Sequence, residues 1–144
     1  MVKAALDAFG RVDILVNNAG GNITTELEAL DDARAETIFA SNFTGGWMLL
    51  RKCWPLMREQ GFGRIVNVMS GSMLGLPGWV TYAAVKAAYL GLTSVAANEG
   101  EPHDIRVNGV WPTANTRLLD GIDDPEPVER MKAFPPHLVA EAIV

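Results

Sequence analysis

At 144 residues, 49% hydrophobic and 20% charged, the chain is long enough for one ordinary core and too short for two. A formal net charge of −5 argues against the basic stripe that phosphate-backbone binding requires, so nucleic acid is not an expected partner. The single cysteine, Cys53, excludes an intramolecular disulfide or a multi-cysteine metal site and makes a reducing, cytoplasmic compartment the expectation. Met1 to Asp7 lack an apolar run of signal-peptide length, and charges such as Lys86 break the other apolar stretches, so no membrane partner is expected.

In chain order, the first strand is predicted over Val12 to Asn17. A small-residue turn, Asn17-Asn18-Ala19-Gly20-Gly21, closes that strand. A long helix is predicted from Asp32 to Gln60, capped by Asp31 or Asp32, bent by Pro55 and ended near Gly61. Then come a strand over Arg64 to Met69, a flexible loop over Ser70 to Trp79, a helix over Val80 to Glu99 and a strand over Ile105 to Val110. Each strand is a compact Val/Ile/Leu-rich run, as strands buried on both faces tend to be. From Asp120, through Asp123-Asp124-Pro125-Glu126-Pro127, the pattern is loop-like, and a last helix starts at Leu138. Alternation of short strands with long helices predicts an α/β fold with a parallel sheet.

Tyr82 and Lys86 stand four residues apart in the second long helix, so a phenol and an ammonium share one face. A cation beside a phenol favours the phenolate, which brings proton exchange with an alcohol or carbonyl oxygen closer to neutral pH. With two tyrosines in the chain, such a spacing arises by composition in roughly one chain in twenty. The three strand-to-helix connections add weight, because open α/β sheets bind ligands at the carboxyl ends of their strands. Small residues at Asn18-Ala19-Gly20 let backbone approach a ligand, and the asparagine amides can hold a ribose or a neighbouring strand. Ser70 can donate a hydrogen bond to a carbonyl, with Ser72 its substitute, while Met73, Leu74 and Trp79 can line a substrate pocket. Trp111 to Thr116 can close over the same place.

Together, Val12 to Gly20, Ser41-Asn42-Phe43-Thr44-Gly45, Gly63 to Ser70, Tyr82-Ala83-Ala84-Val85-Lys86 and Ile105 to Asn108 resemble the short-chain dehydrogenase/reductase family. The resemblance implies a Rossmann fold and an NAD- or NADP-dependent oxidoreductase acting on a secondary alcohol or ketone. It implies Tyr82 as general acid/base, Lys86 lowering its pKa and holding the nicotinamide ribose, Ser70 orienting the substrate oxygen and Asn42 anchoring a water. Asn18, Ala19 and Gly20 would meet the cofactor ribose, and Pro112 and Thr113 the nicotinamide. An asparagine in mid-helix is mildly unfavourable, so Asn42 can serve a water only if the helix is locally distorted. Ala97 to Gly100 and Trp111 to Leu118 are similar to the 3-hydroxyacyl-CoA dehydrogenase branch; steroid and other secondary-alcohol dehydrogenases share much of that pattern.

The sequence departs from the family pattern in three ways. No Gly-rich turn for a pyrophosphate occurs, and residues 1 to 10 match the helix before the family's fourth strand, so 1–144 reads as an incomplete Rossmann domain, the catalytic half. The first three strands and the last are expected to be missing, leaving Ile14, Leu15 and Val16 on an open sheet edge. Ser70 precedes Tyr82 by 12 residues, one fewer than usual, with Met69 at the strictly counted position, and Thr113 replaces a glycine. Little turnover is expected of the chain alone; a catalytically dead module that pairs with a full-length relative is the alternative. Homo-oligomers are expected through the 32–60 and 80–99 helices. Arg106 and Arg117 are candidates for an anionic substrate group, and His103 and His137 are expected at the surface.

Overall fold

A computed structural model describes residues 1–119, 129 and 131–143. Five α-helices and three strands lie among them: α1 (Val2–Phe9), β1 (Ile14–Asn17), α2 (Asp32–Phe39), α3 (Gly45–Gln60), β2 (Gly63–Val68), α4 (Val80–Gly100), β3 (Ile105–Val110) and α5 (Pro136–Ile143). The strands form a parallel sheet in the order β1-β2-β3, with Asn17 opposite Asn67 and Gly63 opposite Ile105. Strand β1 starts two residues later than its apolar pattern suggests, because the Val12 N–H and carbonyl are taken by the Gln60 side-chain amide rather than by a neighbouring strand. The Asp123–Pro127 loop lies outside the described residues.

The long helix expected over 32–60 is continuous in path but changes winding. Asp31 caps α2 by accepting from the Arg34 N–H at 2.9 Å, and Ala40–Thr44 form a π-turn before α3 begins. Gly61, at φ 62°, ends α3 in the left-handed conformation that glycine adopts without steric cost.

One face of the sheet carries the core. Leu15, Ile65, Ile105 and Val107 pack against Leu50, Cys53 and Met57 of α3 and Ala96 of α4. Cys53 is buried there, and burial pushes its thiol pKa up, as suits a packing residue. A second cluster, Ile38, Met69, Val85 and Tyr89, sits toward the carboxyl end of the sheet. Residues 80–103 are long and apolar enough to cross a membrane by length and composition, yet α4 packs on β3 with Lys86 and Thr93 buried.

The opposite sheet face corrects the expectation of burial on both sides. Ile14 and Val16 are 65% and 41% exposed, whereas Leu15 between them is 9% exposed. Successive strand side chains alternate faces, and α3 and α4 both pack on the Leu15 side. Leu15→Ala is therefore expected to cost about 2–5 kcal/mol of unfolding free energy, while Val16→Ala stays within about 1 kcal/mol, read as urea midpoints at unchanged slope.

Candidate functional site

The carboxyl end of β2 is the meeting point. Lys86, 2% exposed, donates from Nζ to the Val68 carbonyl at 2.6 Å. The same nitrogen lies 5.3 Å from the Tyr82 ring centroid and 5.8 Å from that of Tyr89. Two residues beyond Val68, Ser70 caps the short Gly71–Leu74 turn through a 3.2 Å bond from the Ser72 N–H to its Oγ. That turn delivers the Ser70 hydroxyl beside the Tyr82 phenol. The loop, one residue shorter than the family's usual count, thus still brings Ser70 to Tyr82. Met69 faces the other way, into the core, where its methyl occupies the space above Gly109 that a Cβ would need.

The electrostatics differ from the expected phenolate. Burial raises the Tyr82 pKa, and the Ser70 hydroxyl opposes that rise. Lys86 does not lower it: its amine is turned to a backbone carbonyl, and burial lowers its own pKa from 10.5 to about 8. In this arrangement the phenol is protonated at neutral pH.

Asn42 sits on the π-turn, 1% exposed. Its Oδ1 accepts from the Gly21 N–H and the Ser41 hydroxyl, both at 2.9 Å, and its Nδ2 donates to the Gly21 carbonyl at 2.6 Å. The helix is distorted as the asparagine requires, but the amide is spent mainly on clamping the turn after β1, leaving one N–H free among the described residues. A Cβ at Gly20 would lie 3.0 Å from the Asn42 amide, a tight contact that would require that amide to give by a few tenths of an ångström. Asn18, Ala19 and Gly20 are exposed beyond the clamp.

Around the centre, Trp79 is buried edge-on against Tyr82, with centroids 5.4 Å apart. Ser72 is buried with no partner for its hydroxyl among the described residues, Met73 is half-buried and Leu74 is exposed. Only the exposed members of this loop are open to a substrate in the present arrangement. Pro112 is half-buried and Thr113 exposed after β3. Arg106 does not join them: it lies at the start of β3, the far end of the sheet, 3.4 Å from Asp104. Arg117 is exposed on a short turn and His137 on α5, while His103 is half-buried on the turn after α4. The sequence reading assigned no role to Thr93 or to the amide of Asn67, which bond each other under the site. The signal was an asparagine within the apolar run Ile65 to Val68.

Residues 1–124 match the family model described as short chain dehydrogenase. The chain belongs to the short-chain dehydrogenase family. It is 32% identical over 142 residues to the peroxisomal hydratase-dehydrogenase-epimerase of Saccharomyces cerevisiae, covering 98% of this chain and 15% of that protein. To peroxisomal multifunctional enzyme type 2 of Mus musculus it is 33% identical over 145 residues, covering 100% of this chain and 19% of that one. A crystal structure of 3-ketoacyl-(acyl-carrier-protein) reductase from Brucella melitensis, complexed with NADH, superposes with a TM-score of 0.87 at 31% identity. That match covers 98% of this chain and 62% of the reductase. The chain therefore spans a small part of those curated relatives and under two thirds of that solved one.

The buried amine gives a pH test. Below about pH 8 Lys86 is charged in both folded and unfolded chains, and its burial cost is fully present. As pH rises from about 8 toward 10.5 the folded amine is neutral while the unfolded one keeps its proton, so stability rises. Cys53 and the tyrosines, with raised pKa values, act in the opposite sense at higher pH and are common to both proteins in a comparison. The difference in unfolding free energy between wild type and Lys86→Met, read by urea denaturation, is expected to change across this window by the order of 1 kcal/mol or more, with wild type gaining.

Proposed function

We propose that this chain carries the proton-handling half of an oxidoreductase that moves a hydride between NAD or NADP and a secondary alcohol or ketone. The carrying observation is the convergence of Ser70, Tyr82 and Lys86 at the end of β2, with Lys86 Nζ 2.6 Å from the Val68 carbonyl and 5.3 Å from the Tyr82 ring.

The residues present fit the nicotinamide-ribose part of a dinucleotide. The exposed Asn18-Ala19-Gly20 turn, held by Asn42, offers backbone and amide groups, and Pro112 and Thr113 stand at the neighbouring strand end. No glycine-rich pyrophosphate turn occurs in the 144 residues, so full dinucleotide binding needs a segment the sequence does not contain. When bound, the nicotinamide supplies hydride transfer. The protein's own task is one proton. The Tyr82 Oη returns it to a carbonyl oxygen or takes it from an alcohol, Ser70 Oγ donates to the same oxygen, and Lys86 would hold the ribose. The remaining N–H of Asn42 anchors a water that relays the proton outward.

The substrate class is a 3-hydroxyacyl or 3-ketoacyl thioester. Support comes from the Brucella reductase, named for a 3-ketoacyl substrate, and from exposed Leu74, Leu76 and Trp111 at the carboxyl end of the sheet. Assembly through α3 and α4 is supported by exposed Trp47 and Met48 on one and Leu90 and Val95 on the other.

Fusing the first three strands of a solved relative to residue 1 supplies the pyrophosphate turn. The fusion is expected to reduce 3-ketoacyl thioesters with NAD(P)H, and Tyr82→Phe to lower turnover at least about 100-fold with dinucleotide affinity little changed. Full activity in the phenylalanine variant refutes the reading, and a preference for steroids replaces the substrate class. In sedimentation, Leu90→Glu with Val95→Glu is expected to shift the fusion from oligomer to monomer.

A further inference from the structure

One buried polar chain is left over by the proposed proton chemistry. Asn17 and Asn67 stand opposite each other at the carboxyl ends of β1 and β2, and Asn17 Nδ2 donates to Asn67 Oδ1 at 2.9 Å. Asn67 Nδ2 in turn donates to the Thr93 hydroxyl of α4, also at 2.9 Å. Their exposures are 6%, 0% and 9%, so the chain is sealed from solvent. Apolar side chains of the same shape would fill this space without the cost of burying amides. Hydrogen bonds add direction, because each fixes a donor and an acceptor at one distance and angle.

The elements so joined are those that carry the site. Asn17 adjoins the Asn18-Ala19-Gly20 turn, and Asn67 precedes Val68, whose carbonyl receives Lys86. Thr93 lies two turns beyond Lys86 on the same face of α4, where both are buried. Room for the network comes from Gly46 of α3, where a Cβ would be 2.0 Å from the Tyr89 hydroxyl and 3.2 Å from Asn17 Cγ. Packing alone can slide a helix along a sheet. A bonded chain from strand to strand to helix resists that sliding at the height of the reacting groups.

We propose that Asn17, Asn67 and Thr93 are positioning residues that hold the Asn18-Ala19-Gly20 turn at a fixed spacing from the Tyr82–Lys86 face of α4. The consequence for hydride transfer rests on the oxidoreductase reading; the spacing itself is observable without turnover.

Thr93→Val removes the hydroxyl at constant volume, and Thr93→Ser keeps it. Amide proton–nitrogen NMR signals of Asn18, Gly20 and the Asn17 side chain are followed in the 144-residue chain, alongside titration with nicotinamide mononucleotide. Thr93→Val is expected to move those signals, across two strands from the substitution, and to weaken mononucleotide binding roughly fivefold, the effect of one hydrogen bond. Thr93→Ser is expected to restore both to within about twofold. Unmoved Asn18 and Gly20 signals in folded Thr93→Val, or a serine variant that fails to restore them, overturn the proposal. If Thr93→Val does not fold, Asn17→Ala is read in the same way. A wild-type chain that binds no mononucleotide counts against the oxidoreductase reading, while the Asn18 and Gly20 signals still decide the network.

Discussion

A primary amine held at 2% exposure and bonded to a single backbone carbonyl governs how the rest of this molecule is arranged. Lys86 can occupy that position because Val68, the last residue of β2, turns its carbonyl toward α4 at 2.6 Å. Desolvation lowers the amine's pKa to about 8, because the interior disfavours its charge. The bond fixes the rotation of α4 against the sheet. Tyr82, one turn earlier, is thereby placed over the end of β2, and Ser70 needs only the tight Gly71–Leu74 turn to reach it.

Polar groups collect at the carboxyl end of the sheet, and the apolar core occupies its middle. Asn42 satisfies both backbone groups of Gly21, and Asn17, Asn67 and Thr93 bond one another beneath it, with the Asn17 Oδ1 buried without a partner among the described residues. Below them Leu15, Ile65, Ile105 and Val107 meet α3 and α4 without polar interruption. The division has a physical basis: exposed backbone at a ligand-facing end must be held by side-chain hydrogen bonds, while the sheet's middle is held by burial. The opposite face, with Ile14 and Val16, lacks such cover among the described residues.

Much of the fold was readable in the residues. The strand over Ile105–Val110 is found at the expected bounds, that over 64–69 is displaced by one residue, and α4 ends one residue later than expected. Val/Ile runs and helix-ending Gly61 act locally, so their effects do not wait on tertiary structure. The shared face of Tyr82 and Lys86 follows from helical spacing in the same way. The phenol's pKa did not follow: spacing favoured a lowered value, and burial against Trp79 raised it. The open sheet face was hidden as well, since an apolar run reads alike whether one side or both are covered.

The order of elements, the register of the catalytic candidates along α4 and the family to which the chain belongs were fixed by the sequence itself, because each depends on residues close together in the chain or on motifs in a set order. Tertiary structure alone decided which carbonyl receives Lys86, that Met69 points inward while Ser70 meets Tyr82, and that Asn17 reaches Thr93 through Asn67. Those outcomes depend on distances between segments dozens of residues apart. Such distances are set by packing of helices on the sheet, and no local pattern encodes them.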